Sequence, residues 1–116
     1  MAYYTLATVK SDLGVTNTDY DTVLTNIGTN ADSEIDEEIK IITRRNKNST
    51  LPDLPLSTVP QTIVEASHAL MKSKFFQRPD NFRPELVKVF NDEYKKKVEL
   101  YVSNLEDVRD VSGDVF

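Results

Sequence analysis

Apolar residues recur every three or four positions along most of this chain, which is the spacing of one face of an α-helix. The longest such series consists of Tyr20, Leu24, Ile27, Ala31, Ile35, Ile39 and Ile42, which we call the isoleucine stripe. Its spacing predicts one continuous helix that reaches about residue 45 and buries this face. Gly28 falls on the same face, where its missing side chain would let another backbone come close.

The same spacing predicts three further helices. The first covers about residues 5–13 and ends at Gly14, which can adopt a left-handed conformation without a Cβ clash. The third begins at Pro60, a residue that suits the first helical position, and its small residues favour a central, buried helix. The fourth runs from about Pro84 to Val102. The expected fold is therefore all-α, a small bundle of about four helices with a long second helix and an extended C-terminal tail.

The 116 residues fit one helical domain, residues 1–102, followed by a tail, residues 103–116. The tail is too acidic and too short to bury its own apolar residues. We therefore expect it to dock on a partner through Leu105, Val108, Val111, Val115 and Phe116. A proline-containing loop at residues 46–59 is long enough to suggest a role of its own.

Composition narrows the classes of function. Hydrophobic residues make up 39% of the chain, and no apolar run approaches the roughly 18 residues of a membrane span, so we expect no membrane association. The lack of cysteine excludes disulfides and thiolate chemistry. The first residues lack the basic and apolar regions of a secretory signal, which favours a protein that is assembled inside a cell.

The net charge is −5, and five acids fall within the seven residues "DSEIDEE", residues 32–38. Proteins that bind phosphate backbones usually have the opposite balance, so we do not expect sequence-specific binding of nucleic acid. On a helix, Asp32, Asp36 and Glu37 point broadly away from the isoleucine stripe. The simplest interpretation is a solvated face, and the functional interpretation is a channel wall or a subunit contact.

Candidate chemistry is sparse. His68 is the only histidine, so one chain cannot form a histidine-based metal cluster or a catalytic triad. Glu65 and His68 have the spacing of a di-iron motif in helical bundles, but such sites need a second copy of the motif. The favoured role of His68 is a polar contact at a helix or subunit interface. We expect no catalytic, cofactor-binding or metal site, and no enzyme.

The order of the elements resembles that of tailed-phage head–tail connector proteins, also called head completion or adaptor proteins. That family begins with a short helix that ends in Leu-Gly-Val or Leu-Gly-Ile, here residues 13–15, followed by a polar turn and a long acidic helix. A variable loop, a proline-started helix rich in alanine and a final helix complete the pattern, here residues 60–66 and 84–102. The resemblance covers about residues 4–102.

The resemblance implies a structural virion protein that works by assembly. Such proteins form a ring beneath the portal, with the portal's twelve-fold order, that extends the DNA channel and offers a platform for the neck or tail. The implied partners are the portal protein, neighbouring copies and the next neck or tail protein, with DNA passing through without sequence-specific binding. The implied location is the virion neck between head and tail, after assembly in the host cytoplasm.

Within this resemblance, the acidic helix acquires a purpose. A negatively charged lumen repels the DNA backbone and lets DNA pass without sticking. Asp32, Asp36 and Glu37 are therefore the channel-lining candidates.

A different class of function remains open on the residues alone: a small helical regulatory module that binds another protein through its helical groove. Imaging of the purified protein with and without portal separates the two, since the module would remain a monomer that ignores the portal.

Overall fold

The computed structural model describes residues 2–45 and 52–114, and for residues 105–114 it describes the backbone alone. These residues form four α-helices, α1 (Leu6–Leu13), α2 (Asp21–Arg45), α3 (Gln61–Phe75) and α4 (Pro84–Asp114), with a short 3-10 helix at Pro79–Asn81. The described part of the chain contains no strand, which confirms the predicted all-α class. None of its helices combines the length and the apolar character needed to cross a membrane.

The helix ends follow local sequence signals. Gly14 has φ of 73° and ends α1, and the N–H of Val15 donates to the Lys10 carbonyl at 2.9 Å. Pro60 lies one residue before α3 rather than in its first position, and its carbonyl accepts the N–H of Ile63 at 3.0 Å. Pro84 is the first residue of α4, where its missing N–H leaves no helical hydrogen bond unmade.

Helix α3 runs antiparallel to both α2 and α4 around one core. The rings of Tyr20 at the start of α2 and Phe75 at the end of α3 lie 5.5 Å apart. The Ser73 hydroxyl donates to the Val87 carbonyl, whereas Lys97, further along α4, pairs with Glu65 near the start of α3. Helix α3 has nine buried residues out of fifteen and contacts α1, α2 and α4, so it is the central helix, as predicted.

The isoleucine stripe is the part of α2 that faces the core. Ile35 and Ile39 are fully buried, and Ile42 is 7% exposed. Tyr20 and Ile27 are partly buried against the same cluster. The periodicity of the sequence therefore identified the correct face of the longest predicted helix.

Helix α4 continues beyond its predicted end at Val102. Val98 and Val102 are fully buried, and the helical backbone then runs on through residues 103–114, which we call the α4 extension. At 1.5 Å per residue, these twelve residues add roughly 18 Å of helix. Gly113 lies inside the helix, because one glycine costs only about 1 kcal/mol in a helix that is already formed.

Candidate interaction surfaces

Tyr3 fixes the chain before α1 to two other parts of the molecule, a role that no pattern in the sequence indicated. Its side chain is 1% exposed, and its hydroxyl donates to Asp36 Oδ1 at 2.6 Å and accepts the N–H of Leu56 at 2.8 Å. Its own N–H donates to Asp32 Oδ2 at 2.9 Å. One buried tyrosine therefore connects the first residues, α2 and the segment that leads into α3.

The channel-lining candidates have different surroundings. Asp32 also accepts a hydrogen bond from the Ser67 hydroxyl at 2.9 Å, so both of its oxygens have partners within the chain. Asp36 is partly buried against Tyr3, whereas Glu37 is exposed and pairs with Lys40 at 3.1 Å. The expectation of a freely solvated face thus describes Glu37 but needs correction for the two aspartates, because they hold Tyr3 in place.

Burial sets the protonation behaviour of this cluster. It raises the pKa of Asp32 above its usual value, and the hydrogen bonds from the Tyr3 N–H and the Ser67 hydroxyl oppose the shift. Burial, followed by the hydrogen bond to Asp36, also raises the pKa of Tyr3. The Tyr3 hydroxyl therefore keeps its proton and acts as the donor to Asp36, which makes the cluster a structural anchor.

His68 makes a helix contact of the kind favoured from the sequence. Its Nε2 accepts the N–H of Thr5 at 3.0 Å, which places the proton of the neutral ring on Nδ1. Burial, with a further contribution from Lys72, lowers the pKa of His68 and favours this neutral form. Glu65 pairs instead with Lys97 at 3.3 Å, and the described residues contain no group of three or more His, Cys, Asp or Glu side chains suited to a metal ion.

Gly28 allows a close approach, but the approaching group is a ring and not a backbone. A Cβ atom at this position would lie 2.6 Å from Cζ of Tyr4, well inside van der Waals contact. The Tyr4 ring therefore lies directly against α2 at Gly28. The sequence predicted a packing reason for the glycine, and the structure identifies the group that packs there.

A groove of about 620 Å³ lies at the end of the bundle where α1, α2, α3 and α4 meet; we call it the end groove. Leu13, Tyr20 and Phe76 form much of its apolar wall, and Phe82 and Leu86 border it from the α3–α4 connection. Phe82 is 62% exposed, the most exposed large apolar side chain in the described residues. The only sequence signal for this site was an aromatic residue within an otherwise polar, proline-bounded turn, "QRPDNFRPE".

The predicted docking residues of the tail are placed only in part. The backbone positions of Leu105, Val108 and Val111 lie in the α4 extension, but their side chains are outside the described residues, as are Val115 and Phe116 altogether. Their role in docking stays a prediction.

A buried polar anchor, a central helix with small residues and an exposed apolar groove are the main features of this small helical protein. Comparison with known families is specific: the model of the phage gp6-like head-tail connector protein family matches residues 3–101. The chain belongs to this family and is a structural component of phage particles. Comparisons with curated proteins and with solved structures found no significant match.

Proposed function

We propose that this connector protein forms a homo-oligomeric ring beneath the portal, extends the DNA channel and offers a platform for the next neck or tail protein. The observation that carries the proposal is the family match, which spans nearly all of the bundle from residue 3 to residue 101. The ring has the twelve-fold order of the portal, and it occupies the virion neck after assembly in the host cytoplasm.

The charge of α2 supports a channel role. The segment 32–38 carries five acids on a protein with a net charge of −5, and the exposed Glu37 lies within it. A negative wall repels the phosphate backbone and prevents DNA from binding as it moves. Asp32, Asp36 and Glu37 remain our channel-lining residues, with Asp32 and Asp36 serving the Tyr3 anchor as well.

This double role decides which variant tests the channel. Charge reversal at Asp32 or Asp36 would place a cation beside Tyr3 and remove its hydrogen-bond acceptor, so folding would change together with lumen charge. Glu37 has only an exposed one-turn pair with Lys40, and such pairs contribute little to stability. Glu37→Lys therefore changes the charge of α2 while the core stays intact.

The test compares phage particles that carry Glu37→Lys with particles that carry Glu99→Lys, the same change at an exposed acid on α4. We expect both chains to melt as the natural protein does and to assemble into particles. Glu37→Lys should reduce DNA retention or ejection, because a cation in the lumen attracts the DNA backbone. Normal retention and infectivity with Glu37→Lys would refute the channel position of this residue.

Ring formation is tested by electron microscopy of the purified protein with and without portal. Rings, or portal-bound rings, are the expected result. A monomer that does not bind portal would contradict the proposal.

Deleting residues 103–116 should leave the helical bundle folded and weaken attachment to the head. A melt measures the folding of the truncated chain, and a binding assay measures its attachment. Unchanged attachment would exclude docking by the tail.

A further inference from the structure

The end groove and the α4 extension lie at opposite ends of the same helix. Leu86, in the first turn of α4, borders the end groove, whereas the extension begins at Ser103, just after the buried Val102. A helix from Pro84 to Asp114 is roughly 45 Å long at 1.5 Å per residue. The extension therefore cannot reach the end groove of its own chain, so only a second copy can bring the two together.

Charge at the two features is complementary at one residue of the groove. The lining of the end groove contains one acid and one cation, Asp80 and Arg83; Asp80 pairs with Arg78 at 3.3 Å, whereas Arg83 forms no ion pair with the described residues. The extension contains four acids, Glu106, Asp107, Asp110 and Asp114, and one cation, Arg109. Opposite charges of this kind orient two surfaces and accelerate their association.

The exposed cation of the end groove is a donor that its own chain leaves unused. Arg83 is exposed, lines the groove and forms no ion pair with the described residues. Its guanidinium group can therefore bind an occupant that supplies carboxylate oxygens.

The extension has the apolar pattern that such a groove requires. Leu105, Val108 and Val111 recur every third residue of the sequence within this helical segment. Ser103 and Asn104, the first two residues of the extension, are exposed. The exposed ring of Phe82 and the wall at Phe76 provide apolar surface for it.

We infer that the α4 extension of one copy docks in the end groove of the next copy. The contact joins two different surfaces, so each copy can donate one extension and accept another, and a contact of this type closes into a ring when the rotation allows. This inference rests on the proposed ring and specifies which parts of neighbouring copies meet in it.

A complementation experiment tests this contact with two full-length variants. The extension variant carries Leu105→Ser, Val108→Ser and Val111→Ser, and keeps its groove. The groove variant carries Phe82→Glu and Arg83→Glu, both at exposed positions, and keeps its extension. A matched control carries Lys88→Glu and Val89→Glu, an equivalent change at exposed residues of α4 that do not line the groove.

Sedimentation velocity over a range of concentrations measures association. The natural chain and the control should form oligomers, and each variant alone should associate at least about tenfold more weakly. An equimolar mixture of the two variants should form a one-to-one dimer, because one intact groove can still accept one intact extension. The inference is overturned if the mixture stays monomeric, if the extension variant associates like the natural chain, or if the natural chain remains a monomer.

A separate binding assay on portal-bearing heads distinguishes this inference from the proposed function. If the natural chain binds these heads but the complementation fails, the contact between copies is wrong and the connector role stands. If the natural chain does not bind them, the portal-bound ring itself is wrong.

Discussion

Replacing Tyr3 by phenylalanine tests how much the Tyr3 hydroxyl stabilises the fold by linking the first residues to α2 and to the segment before α3. The change keeps the buried ring and removes the oxygen that donates to Asp36 at 2.6 Å and accepts the Leu56 N–H at 2.8 Å. Phenylalanine has the same backbone N–H, so the substitution keeps the hydrogen bond from residue 3 to Asp32. The experiment therefore isolates the hydroxyl from the packing of the ring.

The expected loss follows from the two hydrogen bonds. A hydrogen bond to a charged group contributes about 1.5–3 kcal/mol, and a buried donor without a partner, here the Leu56 N–H, costs about 1–3 kcal/mol. Asp36 is only partly buried, so water can partly replace the hydrogen bond that Asp36 loses with the Tyr3 hydroxyl. We expect Tyr3→Phe to lower the free energy of unfolding by about 2–4 kcal/mol. At about 2.1 cal/mol/K per residue over 116 residues, Tm should fall by about 8–16 °C.

Tyr94→Phe is the matched control. Tyr94 is 6% exposed, but its hydroxyl has no hydrogen-bond partner among the described residues, so we expect a loss below about 0.5 kcal/mol. Thermal and urea melts measure both variants, and hydrogen exchange at the Leu56 amide reports directly on the lost acceptor. A loss for Tyr3→Phe no larger than that for Tyr94→Phe, with unchanged exchange at Leu56, would refute the anchor.

Three further predictions concern the core, pH and Gly28. Ile35→Ala should lower the free energy of unfolding by about 2–5 kcal/mol in a urea melt, since Ile35 is fully buried; a change within error would contradict the core assignment. Stability should fall as pH drops below 6.5, because burial lowers the pKa of His68 in the folded chain and the unfolded chain therefore binds more protons than the folded one. His68→Gln should reduce this fall, and a pH profile identical to that of the natural chain would exclude His68 as its source. Gly28→Ala should stabilise a Tyr4→Ala variant by about 1 kcal/mol, because alanine favours a helix over glycine. The same change should be less favourable in the natural chain, where the new Cβ meets the Tyr4 ring. Equal effects in melts of both backgrounds would show that the ring moves away freely.

Several features of the fold could be predicted from the sequence because they depend on neighbours along the chain. The isoleucine stripe has helical spacing, and the helix predicted to reach about residue 45 ends at Arg45. Gly14 ends α1, and Pro84 begins α4, because their backbone preferences act within one turn. The family resemblance, later matched over residues 3–101, likewise rested on the order of these local elements.

The end of α4 shows where local signals stop being sufficient. The sequence predicted a helix to Val102 and a separate tail, because the tail is too acidic and too short to bury its own apolar residues. The helical backbone nevertheless continues to Asp114. Propagating an existing helix is much easier than starting one, so the well-packed turns before Val102 support the turns after it.

The anchor and the end groove depend on contacts between residues that are far apart in the sequence, so they became visible only in the folded chain. Tyr3 meets Asp36 and Leu56 across 33 and 53 residues of sequence, and Thr5 meets His68 across 63. Helical periodicity assigned Asp32 and Asp36 to the face away from the core, but it carries no information about a segment that folds over that face from elsewhere. Such contacts depend on how complete helices pack, and packing is a property of the whole chain that no short stretch of sequence encodes.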